Sequence, residues 1–293
     1  MGVADDFQRF RDEYNIGQLL ISSIGARYRR ITTRLNKDFR NLDSDVAYSL
    51  YVGSYGRDTA ARGVSDLDVA YILPPALYKQ YNDYAGNGQS ALLQRVKVSI
   101  QNTYPLSDIS GDGQVVVSNF TDGVKFEVLP VFENTANTFT YANANGGGTW
   151  KACNPRAEIK AVHERNILVN HNLKNLCRMM RVWRDYNSVP MSGALIDALA
   201  YKFLETWEYK DKSFYYHDFM VRDFLKFLYE QDREQTYWRM PGSGSEVAKT
   251  GVFRLKALAC HTLSIDACLL QKEEEGPKRR AKWRTIFGPT FPI

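Results

Sequence analysis

The segment Ser65-Asp66-Leu67-Asp68-Val69-Ala70-Tyr71-Ile72-Leu73 reads as a β-strand that carries two carboxylates at its start. Side chains alternate between faces along a strand, so Asp66 and Asp68 point together while Leu67 and Val69 point the other way, into a core. Two carboxylates so placed repel unless a cation lies between them. Mg²⁺ takes hard oxygen ligands, usually one or two carboxylates with water and substrate phosphates, and this strand offers that set. Upstream, Ala47 to Val52 reads as a strand or the end of a helix, and Gly53-Ser54-Tyr55-Gly56-Arg57-Asp58-Thr59 as a turn with two glycines. Glycine lets backbone amides approach an anion closely, and the Ser54 hydroxyl adds a donor. Gly-Ser pairs occur in most loops, but Ser54 followed twelve residues later by Asp66, at the head of an apolar strand, is far more specific. The plainer alternative is a hairpin with solvated carboxylates on an open face.

A third carboxylate is expected from a neighbouring strand. In Val124-Lys125-Phe126-Glu127-Val128-Leu129-Pro130-Val131-Phe132, Glu127 alternates with Phe126 and Val128, and Pro130 suits an edge or the end of pairing. If this strand lies beside the first, Glu127 completes a cluster suited to two divalent ions about 4 Å apart. Asp108, Asp112 and Asp122 sit among turn residues and are weaker candidates.

Gly53, Ser54, Thr59, Ser65, Asp66, Leu67 and Asp68 together resemble the signature of the bacterial cyclic-oligonucleotide synthases, relatives of cyclic GMP-AMP synthase and 2'-5'-oligoadenylate synthetase. Glu127-Val128-Leu129-Pro130 is similar to the family's third-carboxylate strand, with Glu where many members have Asp. The run Leu176 to Tyr186, then Pro190-Met191-Ser192-Gly193, resembles the helix bearing a triphosphate-binding cation and the serine that opens the next helix. On that pattern Arg181 takes the place usually held by lysine and Ser192 is its hydroxyl partner, while Lys174 and Arg178 on adjacent turns could share or replace Arg181. Trp283 to Gly288 with Phe291-Pro292 is similar to the family's C-terminal signature.

The resemblance implies an α+β fold, a polymerase-beta-like nucleotidyltransferase sheet lobe packed on a C-terminal helical lobe and bridged by a long N-terminal spine helix. It implies Asp66, Asp68 and Glu127 as catalytic metal ligands for two Mg²⁺ or Mn²⁺ ions, and Gly53, Ser54, Thr59, Arg181 and Ser192 as substrate-binding residues. The implied reaction joins and cyclises nucleoside triphosphates into a di- or trinucleotide second messenger for antiphage signalling, releasing pyrophosphate. The messenger would be read by a separate effector protein; nucleic acid is not required, and there is room for a regulatory partner encoded nearby. The alternatives are a nucleotidyltransferase acting on a tRNA, drug or protein, and an inactive sensor of the same fold.

Bulk properties agree with a folded enzyme. The 293 residues, 44% hydrophobic and 24% charged, can form a substantial core in two lobes. No apolar run approaches the roughly 20 residues of a membrane span, and the N-terminus lacks a secretion signal, so a soluble cytoplasmic protein is expected. Four cysteines without CxxC spacing argue against a disulfide framework or structural zinc. The net charge of +5 does not establish nucleic-acid binding, although Arg27, Arg30, Arg34 and Lys37 share a helix face and Lys278 to Arg284 form a second basic cluster.

Helical periodicity covers residues 5 to about 40, with Gly17 and Gly25 permitting a break. Strand patterns dominate from about 47 to 132, interrupted by a helix near Ser90 to Gln101 and with short strands around Gly111-Asp112-Gly113. Asparagine, glycine and alanine accumulate from Thr135 to Pro155, which reads as loop and divides the chain into domains 1–150 and 151–293. Beyond it, helices are expected over Ala157 to Asn170, Leu173 to Tyr186, Gly193 to Trp207, Met220 to Gln231 and Glu246 to Lys272, the last capped by Ser245.

Overall fold

A computed structural model of the chain describes residues 2–64 and 66–293; Ser65 lies outside the described residues. The N-terminal periodicity resolves into two helices, α1 (Val3–Tyr14) and α2 (Gln18–Arg40). Asn15 and Gly17, the residues capping the two ends, both have extended backbone, which no helix can continue through. The chain forms two compact units: a sheet unit of residues 17–56 and 63–159, and a helical unit of residues 1–16, 57–62 and 160–293.

The sheet unit holds α2, β1 (Ser49–Tyr51), the single turn α3 (Gly53–Gly56), β2 (Asp66–Ile72), α4 (Pro75–Asn82) and α5 (Gly88–Gln101). It continues with β3 (Asp108–Asp112), β4 (Val115–Asn119), β5 (Lys125–Glu133), β6 (Phe139–Asn143) and β7 (Thr149–Cys153). Strand order is β1-β2-β5-β4-β3, with β6 paired to β5 and β7 to β6. β2 and β5 run parallel, and their neighbours pair antiparallel. One face is apolar: Leu67, Val69 and Tyr71 of β2 and Phe126, Val128 and Phe132 of β5 bury against Ile24, Ile31 and Leu35 of α2 and Leu92, Val96 and Ile100 of α5. The opposite face carries Asp66 and Asp68 beside Lys125 and Glu127, then a small apolar patch of Ala70, Ile72 and Val131 with Val52 and Phe139.

One expectation about this unit narrows and another needs correction. Pro130 is not at an edge; it lies inside β5, just past the end of pairing with β4 and just before pairing with β6 begins, where a missing N–H disturbs neither antiparallel ladder. The Gly/Asn-rich stretch from 135 to 155 is not a loop but the β6–β7 hairpin, whose turn absorbs Asn145-Gly146-Gly147-Gly148 while Phe139 and Ala142 are buried.

The helical unit holds α1 with α6 (Pro155–Leu168, from Lys160 onward), α7 (Asn172–Tyr186), α8 (Gly193–Thr206) and α9 (His217–Tyr229). It ends with β8 (Tyr237–Arg239), β9 (Glu246–Ala248), α10 (Arg254–Cys268) and α11 (Gly276–Phe287). The helix expected from Glu246 therefore starts eight residues later, at Arg254: the Pro241-to-Ser245 turn closes a hairpin that buries Trp238 and Val247. An aromatic nucleus joins the two chain ends, with Phe7 5.3 Å from Trp283 and Phe10 4.6 Å from Phe287 between ring centroids. Beside it Arg279, fully buried, donates to Asp6 Oδ2 at 2.9 and 3.1 Å. Part of the C-terminal basic cluster is thus internal, since Arg280 also reaches Asp6, while Lys282 pairs with Asp266 at the surface. The α2 stripe is partly neutralised as well, Arg27 by Asp122 and Arg34 by Asp38.

Candidate functional site

Register assembles the acidic face. In the parallel β2–β5 pair Asp66 lies opposite Lys125 and Asp68 opposite Glu127, so all four side chains share one side of the sheet. The Lys125 ammonium sits among the carboxylates, 2.6 Å from Glu127 Oε1 and 3.2 Å from Asp66 Oδ1. Its bond to Glu127, against some loss of solvation and aided by Asp66, holds the lysine more firmly protonated than usual. Asp66 and Glu127 keep partial solvent access, at 56% and 25% of their side-chain surface, as a site that exchanges ligands requires.

Asp68 is held differently. Its backbone carbonyl accepts a bond from the Val52 amide at 2.9 Å, bringing the start of α3 against β2. Gly53 there has φ +58°, and a Cβ on it would fall 1.8 Å from Asp68 Oδ2. A Cβ on Gly56 would likewise meet the Tyr51 carbonyl oxygen at 2.4 Å. Both glycines of the turn are therefore required by close backbone approach, and Ser54 stands between them at partial burial.

The donor set suits a hard divalent cation: carboxylate oxygens in register on adjacent strands, with a protein cation already among them. Among the described residues, no three His, Cys, Asp or Glu side chains are drawn together closely enough to hold an ion as they stand. Asp66 and Glu127 instead close on Lys125.

The remaining expected binding residues lie in the helical unit. Thr59 is fully buried and donates to Asp197 Oδ2 at 2.8 Å. Arg57 Nε reaches the same oxygen at 3.0 Å, and Arg181 Nη1 donates to Asp197 Oδ1 at 2.7 Å. Arg181 also donates to the carbonyls of Cys177 and Gly193. Burial alone would raise the Asp197 pKa, but Arg181 and Arg57 outweigh it and bring it down to about 2. Thr59 and Arg181 thus both donate to one buried carboxylate. Drawing Arg181 away would leave Asp197 short of a partner, at about 3–5 kcal/mol.

One turn and two turns before Arg181 on α7, Arg178 and Lys174 pair with an exposed carboxylate instead of a buried one. Both reach Asp58, which is 63% exposed, Lys174 Nζ at 3.0 Å. Arg178 also grips the carbonyls of Asp58 and Ala60. Ser192 caps α8, accepting the Leu195 amide at 3.1 Å. Three tyrosines of the two units are engaged within the protein: Tyr71 is core and donates to Asn36 Oδ1, Tyr55 packs on Tyr51, and Tyr201 lies under Arg165.

Sequence reasoning missed Lys125, although its place two residues before Glu127 on a strand put it on the same face. It also missed Asp197, whose signal was a lone acid within the apolar run from Ala194 to Ala200.

Residues 1–166 match the family model described as the Second Messenger Oligonucleotide or Dinucleotide Synthetase domain. No curated protein matches the chain by sequence. Among solved structures, the CdnC of E. coli MS115-1, in complex with a HORMA-deltaN protein, superposes with a TM-score of 0.72 at 13% identity, over 99% of this chain and 98% of that one. The Bradyrhizobium diazoefficiens CD-NTase CdnG, in complex with GTP, gives 0.68 at 11% identity over 98% and 95%. Vibrio cholerae DncV in its apo form gives 0.66 at 16% identity over 84% and 69%. At these identities the superpositions speak for the fold.

Proposed function

The chain belongs to the second messenger oligonucleotide or dinucleotide synthetase family and is a nucleotidyltransferase, and from that premise we propose that it links and cyclises nucleoside triphosphates at the β2–β5 acidic face, releasing pyrophosphate. The observation that carries this reading is the parallel register that sets Glu127 beside Asp68, with Asp66 on the same face and the Gly53-Ser54 turn against Asp68. CdnC and CdnG have been solved with ATP and GTP respectively, which supports nucleoside triphosphates as substrates here.

Asp66, Asp68 and Glu127 would hold two Mg²⁺ or Mn²⁺ ions. Such ions activate an acceptor hydroxyl and neutralise charge on a triphosphate. The carboxylates fix where the acceptor and the α-phosphate meet. Gly53 and Ser54 offer backbone and hydroxyl donors to the β- and γ-phosphates, whose charge grows as pyrophosphate leaves. In the helical unit we assign phosphate binding to the cations Lys174 and Arg178 and to the Ser192 hydroxyl, because Arg181 is tied to Asp197. Asp58, now paired with both cations, would be exchanged for phosphate; it is exposed, so the exchange is cheap.

We further propose that the product is a cyclic di- or trinucleotide messenger of antiphage defence, read by a separate effector protein. A regulatory protein partner is supported by the HORMA-deltaN complex of CdnC.

The test is incubation with labelled ATP, GTP, CTP and UTP plus Mg²⁺ or Mn²⁺, followed by phosphatase. A phosphatase-resistant product is expected from the wild type. Asp66→Asn with Asp68→Asn should abolish it while leaving the thermal melt largely intact; wild-type turnover in that variant would defeat the assignment.

A further inference from the structure

We propose that Lys125 is a built-in counter-ion of the acidic face, which divalent metal must displace in order to load. The inference rests on the metal reading above and adds a residue to it. Lys125 is two residues from Glu127 on β5 and directly opposite Asp66 on β2, so the sheet itself carries its ammonium to the mouth of the site. There it touches carboxylates from both strands, Glu127 at 2.6 Å and Asp66 at 3.2 Å, while Asp68 faces Gly53.

This geometry does two things. It neutralises one charge where carboxylates on adjacent strands would repel, so the strands can pair at this end without a bound ion. It also sets a threshold, because Asp66 and Glu127 oxygens that face Lys125 are the ones a metal would take. The lysine is 31% exposed on a long flexible stem and can swing into solvent. A divalent ion brings more charge than an ammonium and can win the exchange, most readily when a nucleotide phosphate supplies further ligands. Lys125 is thus a positioning residue that biases the face toward accepting metal together with substrate.

The test is Mn²⁺ binding to the full chain without nucleotide, followed by electron paramagnetic resonance of free Mn²⁺. Lys125→Gln should bind about three- to fivefold more tightly than wild type, the upper part of the range by which partly exposed ion pairs shift an equilibrium. Lys125→Arg, which keeps the charge, should stay within about twofold. A purely structural role would not produce that split, and circular dichroism melts of both variants check the fold. Unchanged or weaker binding in Lys125→Gln overturns the inference while the metal reading stands. Wild-type binding that is indifferent to Asp66→Asn with Asp68→Asn removes the metal reading itself, and the inference with it.

Discussion

Gly53→Ala tests the link between backbone and chemistry directly. Its φ of +58° is left-handed, where an L-residue costs about 1–2 kcal/mol. The new methyl would lie 1.8 Å from Asp68 Oδ2, so the carboxylate must retreat by about 2 Å to ordinary contact. A displacement of about 1 Å at a reacting centre lowers turnover by roughly 100-fold, whereas 1–2 kcal/mol lowers the melting temperature by only about 2–8 °C in a protein of this size. The expected result is a loss of about two orders of magnitude in pyrophosphate release with a melt that remains well above the assay temperature. Gly63→Ala is the control: its φ is +84°, so it carries similar strain, yet among the described residues nothing lies within 4 Å of the added methyl. It should melt lower by a similar amount and keep activity within about threefold. If both variants lose activity equally, strain explains the effect and the Gly53–Asp68 contact does not. If Gly53→Ala keeps full activity, Asp68 does not need its observed position.

Two further outcomes concern the helical unit. Asp197→Asn leaves Arg57 and Arg181 buried without their carboxylate and should cost about 3–5 kcal/mol, lowering the thermal melt by about 10 °C, whereas Thr59→Val removes the hydroxyl's bond to Asp197 and should cost about 1 kcal/mol. A melt of Asp197→Asn within about 2 °C of wild type would contradict the buried network. His217 is buried against Phe7 and Phe214 with Nε2 donating to Asn172 Oδ1, and burial, then Arg11, depresses its pKa from 6.5 to about 4. The unfolded chain therefore takes up the proton first as pH falls, so stability is full above about pH 6.5 and declines by about 3 kcal/mol toward pH 4. Urea midpoints at pH 7 and 4.5 measure the decline, and His217→Gln should flatten it.

What was legible in the chain follows from period. A strand repeats every two residues, so Asp66 and Asp68, and Glu127 between Phe126 and Val128, announced their faces before any pairing was known. The β6–β7 hairpin was hidden because its long turn set the composition of the window, and five-residue strands leave little alternation to outweigh it. At Glu246 a serine after a Gly-rich turn imitates a helix cap; the deciding fact is pairing with Arg239, seven residues earlier in the hairpin partner, which periodicity does not contain. The N-terminal break was legible as a permission at Gly17, not as a certainty.

Burial separates two charged constellations that look alike in sequence. Lys125 with Asp66 and Glu127, and Arg57 and Arg181 with Asp197, are both basic side chains gathered on carboxylates. The first stands partly in water, where an ion pair is worth about 0–1 kcal/mol, so a metal can replace the lysine. The second has no solvent contact at Asp197, and losing either partner costs several kcal/mol, so its members are fixed whatever ligand approaches. An arginine aligned with a phosphate-binding position can therefore be structural, and a lysine that no motif mentions can govern metal loading. Exposure decides which carboxylates exchange their cations, and exposure is a property of the packed chain.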